Sequence, residues 1–451
     1  MNFQTTKKER WGYFLFCLGF PVFNNFVGGY VSLFMTDAGI AAGAAAIILG
    51  LAQIWDGIND PVFGTIVDKK PFKSGKFKPW TLIASILMPL LTILLFALPT
   101  GLPTGWKIAW AAVFYILFTT AYDTGDVPIF GVIGAMTDDQ KERHYLTGRR
   151  TLAGVIIIAV VTVAAPALYS SIGWGWTGLL MALLGGALMF PFHRVLVERN
   201  EPKADEKMTV RQMVKAIAKN KYLLVFYLAV ICCSVTNTVQ GVLPYAARYL
   251  LGSDSYTTLL YLCVLLPTLI FTLFLSKLTQ KIDKFDLLYI SVAGTMVTSL
   301  ISYFVGYSSV TMVLVMMMIR GLFFGPLVIL LYVFTVDMIE YGQFKTGERI
   351  EGVALAFQTF SSKVASGFTS MFMLGVLAAF HFVEGGEVVQ PESAYKGIWM
   401  LFTLLPCIGY AISLVLFRFY KLRDKDVQVM IRANAGEITR EEAEAQLSRK
   451  Y

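Results

Sequence analysis

Two short acidic stretches stand inside otherwise apolar runs. In the first, Trp55-Asp-Gly-Ile-Asn-Asp-Pro61, residues Asp56, Asn59 and Asp60 fall at i, i+3 and i+4. A helix would present all three on one face. Pro61 has no N–H, which leaves the Gly57 carbonyl without its helical donor. Two carboxylates, an amide oxygen and a freed carbonyl form an oxygen-rich set suited to a hard monovalent cation or a proton. The second stretch, Tyr122-Asp-Thr-Gly-Asp-Val-Pro128, repeats the pattern, with Asp123 and Asp126 three apart and Pro128 freeing the Thr124 carbonyl. At hydrocarbon depth each carboxylate costs about 2.5–3.5 kcal/mol, so four cost on the order of 10 kcal/mol before any pairing. Snorkelling or a fixed ion pair explains one such residue more readily than four.

Basic groups able to face these carboxylates are few. Arg149 and Arg150 open one apolar run, Arg320 lies within another, and Lys363 stands in Phe360-Ser-Ser-Lys-Val-Ala-Ser-Gly367 among small and hydroxylated residues. Lys363 is the strongest candidate, because a buried ammonium can pair with a carboxylate or donate to solute hydroxyls. For Arg320 a fixed structural pair is the equal alternative. Tyr122 and Phe130 share a run with Asp123 and Asp126 and could stack on a ring-shaped solute.

The elements that must position these groups follow from composition. The chain has 451 residues, 56% hydrophobic and only 15% charged, against roughly 25% charged for soluble domains. Apolar runs of about twenty residues recur, the length that crosses a bilayer. They number about twelve, centred within 12–35, 41–67, 79–99, 107–134, 149–171, 174–194, 221–247, 256–276, 285–306, 309–336, 352–380 and 397–419. Lys and Arg cluster in alternate loops, so the net charge of +8 is a topology signal and not a nucleic-acid footprint. The bias places both termini in the cytoplasm of a multi-pass plasma (inner) membrane protein. The polar start, Met1–Arg10, has no cleavage site and reads as no removed signal peptide.

The longest polar insertion, 195–220, divides an all-α chain into six-helix halves, 1–194 and 221–420, with a cytoplasmic tail at 421–451. The halves echo each other: Met136-Thr-Asp-Asp-Gln-Lys-Glu-Arg after the fourth span corresponds to Met338-Ile-Glu-Tyr-Gly-Gln-Phe-Lys after the tenth. Such repeats are typical of carriers that hold a solute between halves. The tail reads as a solvated extension without a role. The five cysteines lie in apolar runs and read as small hydrophobes, and the three histidines are unclustered. No nucleophile–base pair supports an enzyme, and no cofactor other than a coupling ion is expected.

Trp55-Asp-x-x-Asn-Asp-Pro, Gly75-Lys-Phe-Lys-Pro-Trp80, Asp126-x-Pro, Asp337-x-x-Glu-Tyr-Gly-x-Phe-Lys345 and Gln358-x-x-x-x-Lys363 together resemble the glycoside–pentoside–hexuronide:cation symporters of the major facilitator superfamily. The match spans nearly the whole chain in order. It implies the major facilitator fold and import of a sugar or glycoside with a proton or sodium. By position it makes Asp56, Asn59, Asp60 and Asp123 cation ligands, with Asp56, Asn59 and Asp60 metal ligands if the ion is sodium. It makes Asp126, Arg149, Lys363, Tyr122 and Phe130 solute-site residues. Asp68 and Lys76 in one cytoplasmic loop, and Asp337 and Glu340 beside another, read as gating charges. The expected partners are a small sugar, a monovalent cation and the bilayer, and a monomer suffices.

Three departures matter. The family's sodium-ligating threonine stands here as Asp123. Its acidic sugar ligand in the first span falls on Pro21, with Phe20 where a Lys can occur. Its tryptophan in the fourth span is Phe130. An anionic sugar or a non-sugar amphiphile is therefore the alternative cargo.

Overall fold

The computed structural model describes residues 3–69, 72, 74–200, 220–347, 351–386 and 388–449. Among the described residues, ten helices are long and apolar enough to cross a membrane. One of them, spanning Gln140–Val195, holds two crossings, because its main helix breaks at Gly173 with φ 79°. That left-handed conformation is one glycine adopts at little cost, and it falls between the fifth and sixth expected spans. A further helix, Thr104–Met136, supplies the remaining crossing and carries the second acidic stretch. The count of twelve agrees with the sequence.

The chain divides into two compact units. Unit 1 comprises Met1–Lys207 with Ser253–Thr258 and Met373–Ala394, and unit 2 holds the remainder. In unit 1 the helices are α1 (Lys7–Asp37), α2 (Ala42–Lys69), α3 (Lys78–Phe96), α4 (Thr104–Met136) and the broken α5 (Gln140–Met189). Helix α1 starts at a capping box, in which Thr6 Oγ1 accepts from Glu9 N at 3.2 Å and Glu9 Oε2 from Thr6 N at 2.7 Å. The segment before it is anchored by Glu142, fully buried, which accepts from Gln4 N (2.9 Å), Thr5 N (3.2 Å), the Thr5 hydroxyl and Thr137 Oγ1 (2.9 Å).

The loop before α3 has an unexpected organising group. Glu198 accepts from three successive backbone N–H groups, those of Lys76 (2.7 Å), Phe77 (2.8 Å) and Lys78 (2.6 Å). Gly75, at φ 126°, lets the backbone approach so closely that a β-carbon there would meet the carboxylate at 2.7 Å. The Gly-Lys-Phe-Lys-Pro-Trp signature thus builds a carboxylate nest at a helix N-terminus. The Lys76 ammonium lies over the Phe77 ring at 5.4 Å. The side chain of Asp68, expected to share this network, lies outside the described residues, as does most of the central loop. Glu198→Ala should destabilise the protein by about 2 kcal/mol, the scale of hydrogen bonds to a charged group. Thermal unfolding checks this, with Glu198→Gln expected to retain part of the loss.

Unit 2 is built from Lys221–Thr236 and its continuation to Leu250, Ser255–Thr279 (from Leu259 onward), Lys284–Val305, Val310–Thr346, Glu351–Ala379 (as far as Phe372) and the broken pair Glu392–Phe402 and Pro406–Phe417 (from Tyr395). The tail is not a free extension. Its helix Asp424–Asn434 places Val427 and Met430 in the same buried cluster as Met338, Tyr341 and Phe344. Lys284 Nζ bridges Asp337 (2.5 Å) and Asp424 (3.3 Å), and Arg423 reaches Asp283 and Asp286. Asn434 Nδ2 donates to Glu340 Oε2 at 2.9 Å. The expectation of a solvated tail fails because its helix is amphipathic: Lys425, Gln428 and Arg432 lie on its exposed face, while Val427 and Met430 pack against the Asp337–Lys345 motif.

Candidate functional site

Helices α2 and α4 are fastened by polar contacts in register. Gln53 Nε2 donates to Tyr115 OH (3.3 Å), and Trp55 Nε1 donates to Thr120 Oγ1 (2.8 Å). Asn59 Nδ2 donates to Asp123 Oδ2 (2.5 Å) and reaches the Thr120 carbonyl (3.5 Å). Thr120 can accept because its own hydroxyl proton goes back to Ile116 O at 2.7 Å. This register sets the i, i+3, i+4 face of α2 against Asp123.

The result is a three-carboxylate cluster. One oxygen from each of Asp56, Asp60 and Asp123 lies within 4.8 Å of the others. Asp123 is fully buried, Asp56 is 6% exposed and Asp60 is half-buried. Hard oxygen donors so close together fit a small cation or shared protons. The described residues of unit 1 therefore gather Asp56, Asn59, Asp60 and Asp123 in one place.

The expected solute residues belong to both units. Tyr122 is half-buried and within electrostatic reach of Asp126, Asp56, Asp123 and Asp60. Its ring stacks on Phe20, with centroids 4.6 Å apart. Phe20 also fills the space beside Gly125, where a β-carbon would overlap its ring. Asp126 is half-buried one turn beyond Asp123. Phe130 is 58% exposed and carries the Arg150 guanidinium at 4.0 Å over its ring. Arg149, one residue earlier and so turned by about 100°, sits instead among Trp11 (4.8 Å), Phe14 (5.5 Å) and Tyr145 (5.0 Å). Lys363 is half-buried in unit 2, where Asp337 and Glu340, described above, are buried.

Several contributors escaped the sequence reading. Thr120, Gln53 and Tyr115 gave no signal, since hydroxyls and amides in apolar helices are common. Trp55 belongs to the quoted motif, yet its indole donor could be placed only once α4 was alongside. In the sequence Arg150 offers only a counter-charge.

Residues 12–424 match the family model described as MFS/sugar transport protein. The chain is 29% identical over 416 residues to the uncharacterized symporter YjmB of Bacillus subtilis, covering 88% of each chain. It is 24% identical to the glucuronide carrier protein homolog of Escherichia coli, covering 96% of each. The crystal structure of a D-xylose-proton symporter is similar at a TM-score of 0.59 and 17% identity, covering 91% of this chain and 96% of that one. That likeness shows a shared fold.

Proposed function

The chain belongs to the MFS/sugar transport protein family, the glycoside–pentoside–hexuronide:cation symporters of the major facilitator superfamily, and from that premise we propose that it imports a sugar or glycoside together with a proton or sodium. It is a multi-pass membrane transporter and not an enzyme. The observation that carries the reading is the convergence of Asp56, Asp60 and Asp123 within 4.8 Å. Two ionised carboxylates at that separation repel by about 3 kcal/mol at an effective dielectric of 20. A bound cation or proton removes much of this repulsion and lowers the cost of closing the site around a solute. If both ligands favour the same closed arrangement, each raises the affinity for the other by the same factor. The alternating charge of the loops supports cytoplasmic termini in a plasma membrane.

Counterflow in proteoliposomes against glycosides, pentoses and uronic acids tests the proposal, with sodium and pH varied independently. One sugar class should exchange, and its uptake should rise at least fivefold with an inward sodium or proton gradient. Flux indifferent to both ions would reduce the protein to a facilitator.

The uronic acid arm examines a second reading. Pro21 stands where the resemblance places an acidic sugar contact, and Phe20, where a Lys can occur, is buried and occupies the space beside Gly125. Two adjacent arginines flank the aromatic rings of α1 and α4. Loss of an acid and retention of bases favour an anionic sugar, and a glucuronide carrier homolog is among the relatives.

A further inference from the structure

The most unusual buried charge in unit 2 lies outside the expected site. Arg320 is 5% exposed inside Val310–Thr346, and among the described residues no carboxylate comes within ion-pair distance of it. Its contacts follow from a helix break. Pro406 has no N–H, so the Phe402 carbonyl one turn earlier lacks its helical donor. Leu405 N bonds back to Met400 O at 2.9 Å, which releases the Leu401 carbonyl too. Irregular backbone at membrane depth persists only where such groups find other partners. Arg320 Nη1 donates to the Phe402 carbonyl at 2.8 Å, and Thr238 Oγ1 donates to the Leu401 carbonyl at 2.6 Å.

Thr238 itself lies in a second break. Helix Lys221–Thr236 ends there and the chain resumes as Val239–Tyr245, with Asn237 between. Tyr410, fully buried on Pro406–Phe417, joins the two sites through longer contacts. Arg320 Nη2 lies 3.5 Å from its hydroxyl, which lies 3.4 Å from Asn237 Oδ1. Two discontinuous helices therefore meet at one guanidinium, beside a cavity lined by Ser302, Met317, Trp399 and Thr403. Discontinuous spans are where carriers concentrate movement and binding.

The geometry points to Arg320 as a positioning residue of a two-helix hinge. It holds the bend at Phe402–Pro406 and, through Tyr410 and Asn237, ties it to the bend at Asn237–Thr238, so that the two spans flex as a pair. A simple helix cap would serve the first break alone. This inference rests on the carrier reading for its purpose, but its test needs no substrate.

Two native cysteines report on the breaks. Cys233 and Cys407 flank them, are partly buried and lie within electrostatic range of Arg320, whereas Cys17 and Cys263 are buried elsewhere. Site-resolved labelling of the full-length protein in liposomes with N-ethylmaleimide should show Arg320→Met accelerating Cys233 and Cys407 together, at least fivefold, with Cys17 and Cys263 within twofold. Pro406→Ala returns an N–H to compete for the Phe402 carbonyl, so it should change Cys233 labelling although the second break, at Asn237–Thr238, is untouched. Acceleration of Cys407 alone, or of neither, overturns the hinge. If Arg320→Met accelerates Cys17 and Cys263 as well, Arg320→Lys decides. Being shorter but still a donor, it should accelerate only the flanking pair, and any other pattern overturns the proposal. With any solute the counterflow panel yields, Arg320→Lys should lower maximal flux about tenfold while the half-saturating concentration stays within threefold.

Discussion

Replacing Asp56 with asparagine is expected to reduce ion-driven accumulation at least 100-fold while leaving the protein as stable as the parent or more so. Asp56 is almost fully buried, and its carboxylate faces both Asp60 and Asp123 across at most 4.8 Å. Removing its charge deletes two of the three pairwise repulsions, each worth about 3 kcal/mol at an effective dielectric of 20. The ion-free protein therefore gains. A bound cation loses one of its three charged neighbours, and a hundredfold loss of affinity needs only about 2.7 kcal/mol. Opposite signs for stability and ion binding mark a functional carboxylate, because a structural ion pair would lose both together. The measurement pairs the melting temperature, with and without sodium and at two pH values, with initial rates of gradient-driven uptake. Wild-type accumulation by Asp56→Asn, or a marked fall in its ion-free stability, would show that the cluster is not the coupling site.

How much of this was legible follows from the physics of each feature. The spans could be read because a membrane imposes one length and one composition, and the break at Gly173 fell where the apolar run faltered. The face shared by Asp56, Asn59 and Asp60 could be read because helical periodicity is local. What opposed that face could not. The positions of Thr120 and Tyr115 depend on the axial shift of α4 against α2, and one turn of slip would replace them. Arg149 and Arg150 show the same limit: adjacent residues point about 100° apart, and only the packed helix decides which meets Phe130. Glu198 was hidden differently. One acid in a polar stretch of mixed charge looks solvated until three N–H groups of a distant loop converge on it. The docking of the tail is hard to read because charged residues are as frequent there as apolar ones, and only the folded helix shows Val427 and Met430 sharing one stripe.

Asp123→Thr is expected to exchange the driving ion. With three carboxylates, a single sodium leaves the cluster with two net negative charges in largely apolar surroundings, and at least one proton would relieve much of the remaining repulsion. Uptake by the parent should therefore be stimulated at least fivefold by an acidic exterior. Threonine removes one charge but keeps an oxygen at the same point on α4. Two carboxylates, a hydroxyl and the Asn59 amide then balance one sodium to within a single charge. The shorter side chain cannot hold Asn59 Nδ2 as Asp123 Oδ2 does at 2.5 Å, which lets the amide turn its oxygen toward the ion. The variant should lose most of the pH response and gain at least fivefold stimulation by sodium. Initial rates from pH 5.5 to 8.5, with sodium or choline outside, separate the cases. A variant that stays acid-driven and indifferent to sodium would remove Asp123 from the ion site. A parent that is already sodium-driven and insensitive to pH would show that Asp123 is compensated by a neighbouring charge and does not set ion choice.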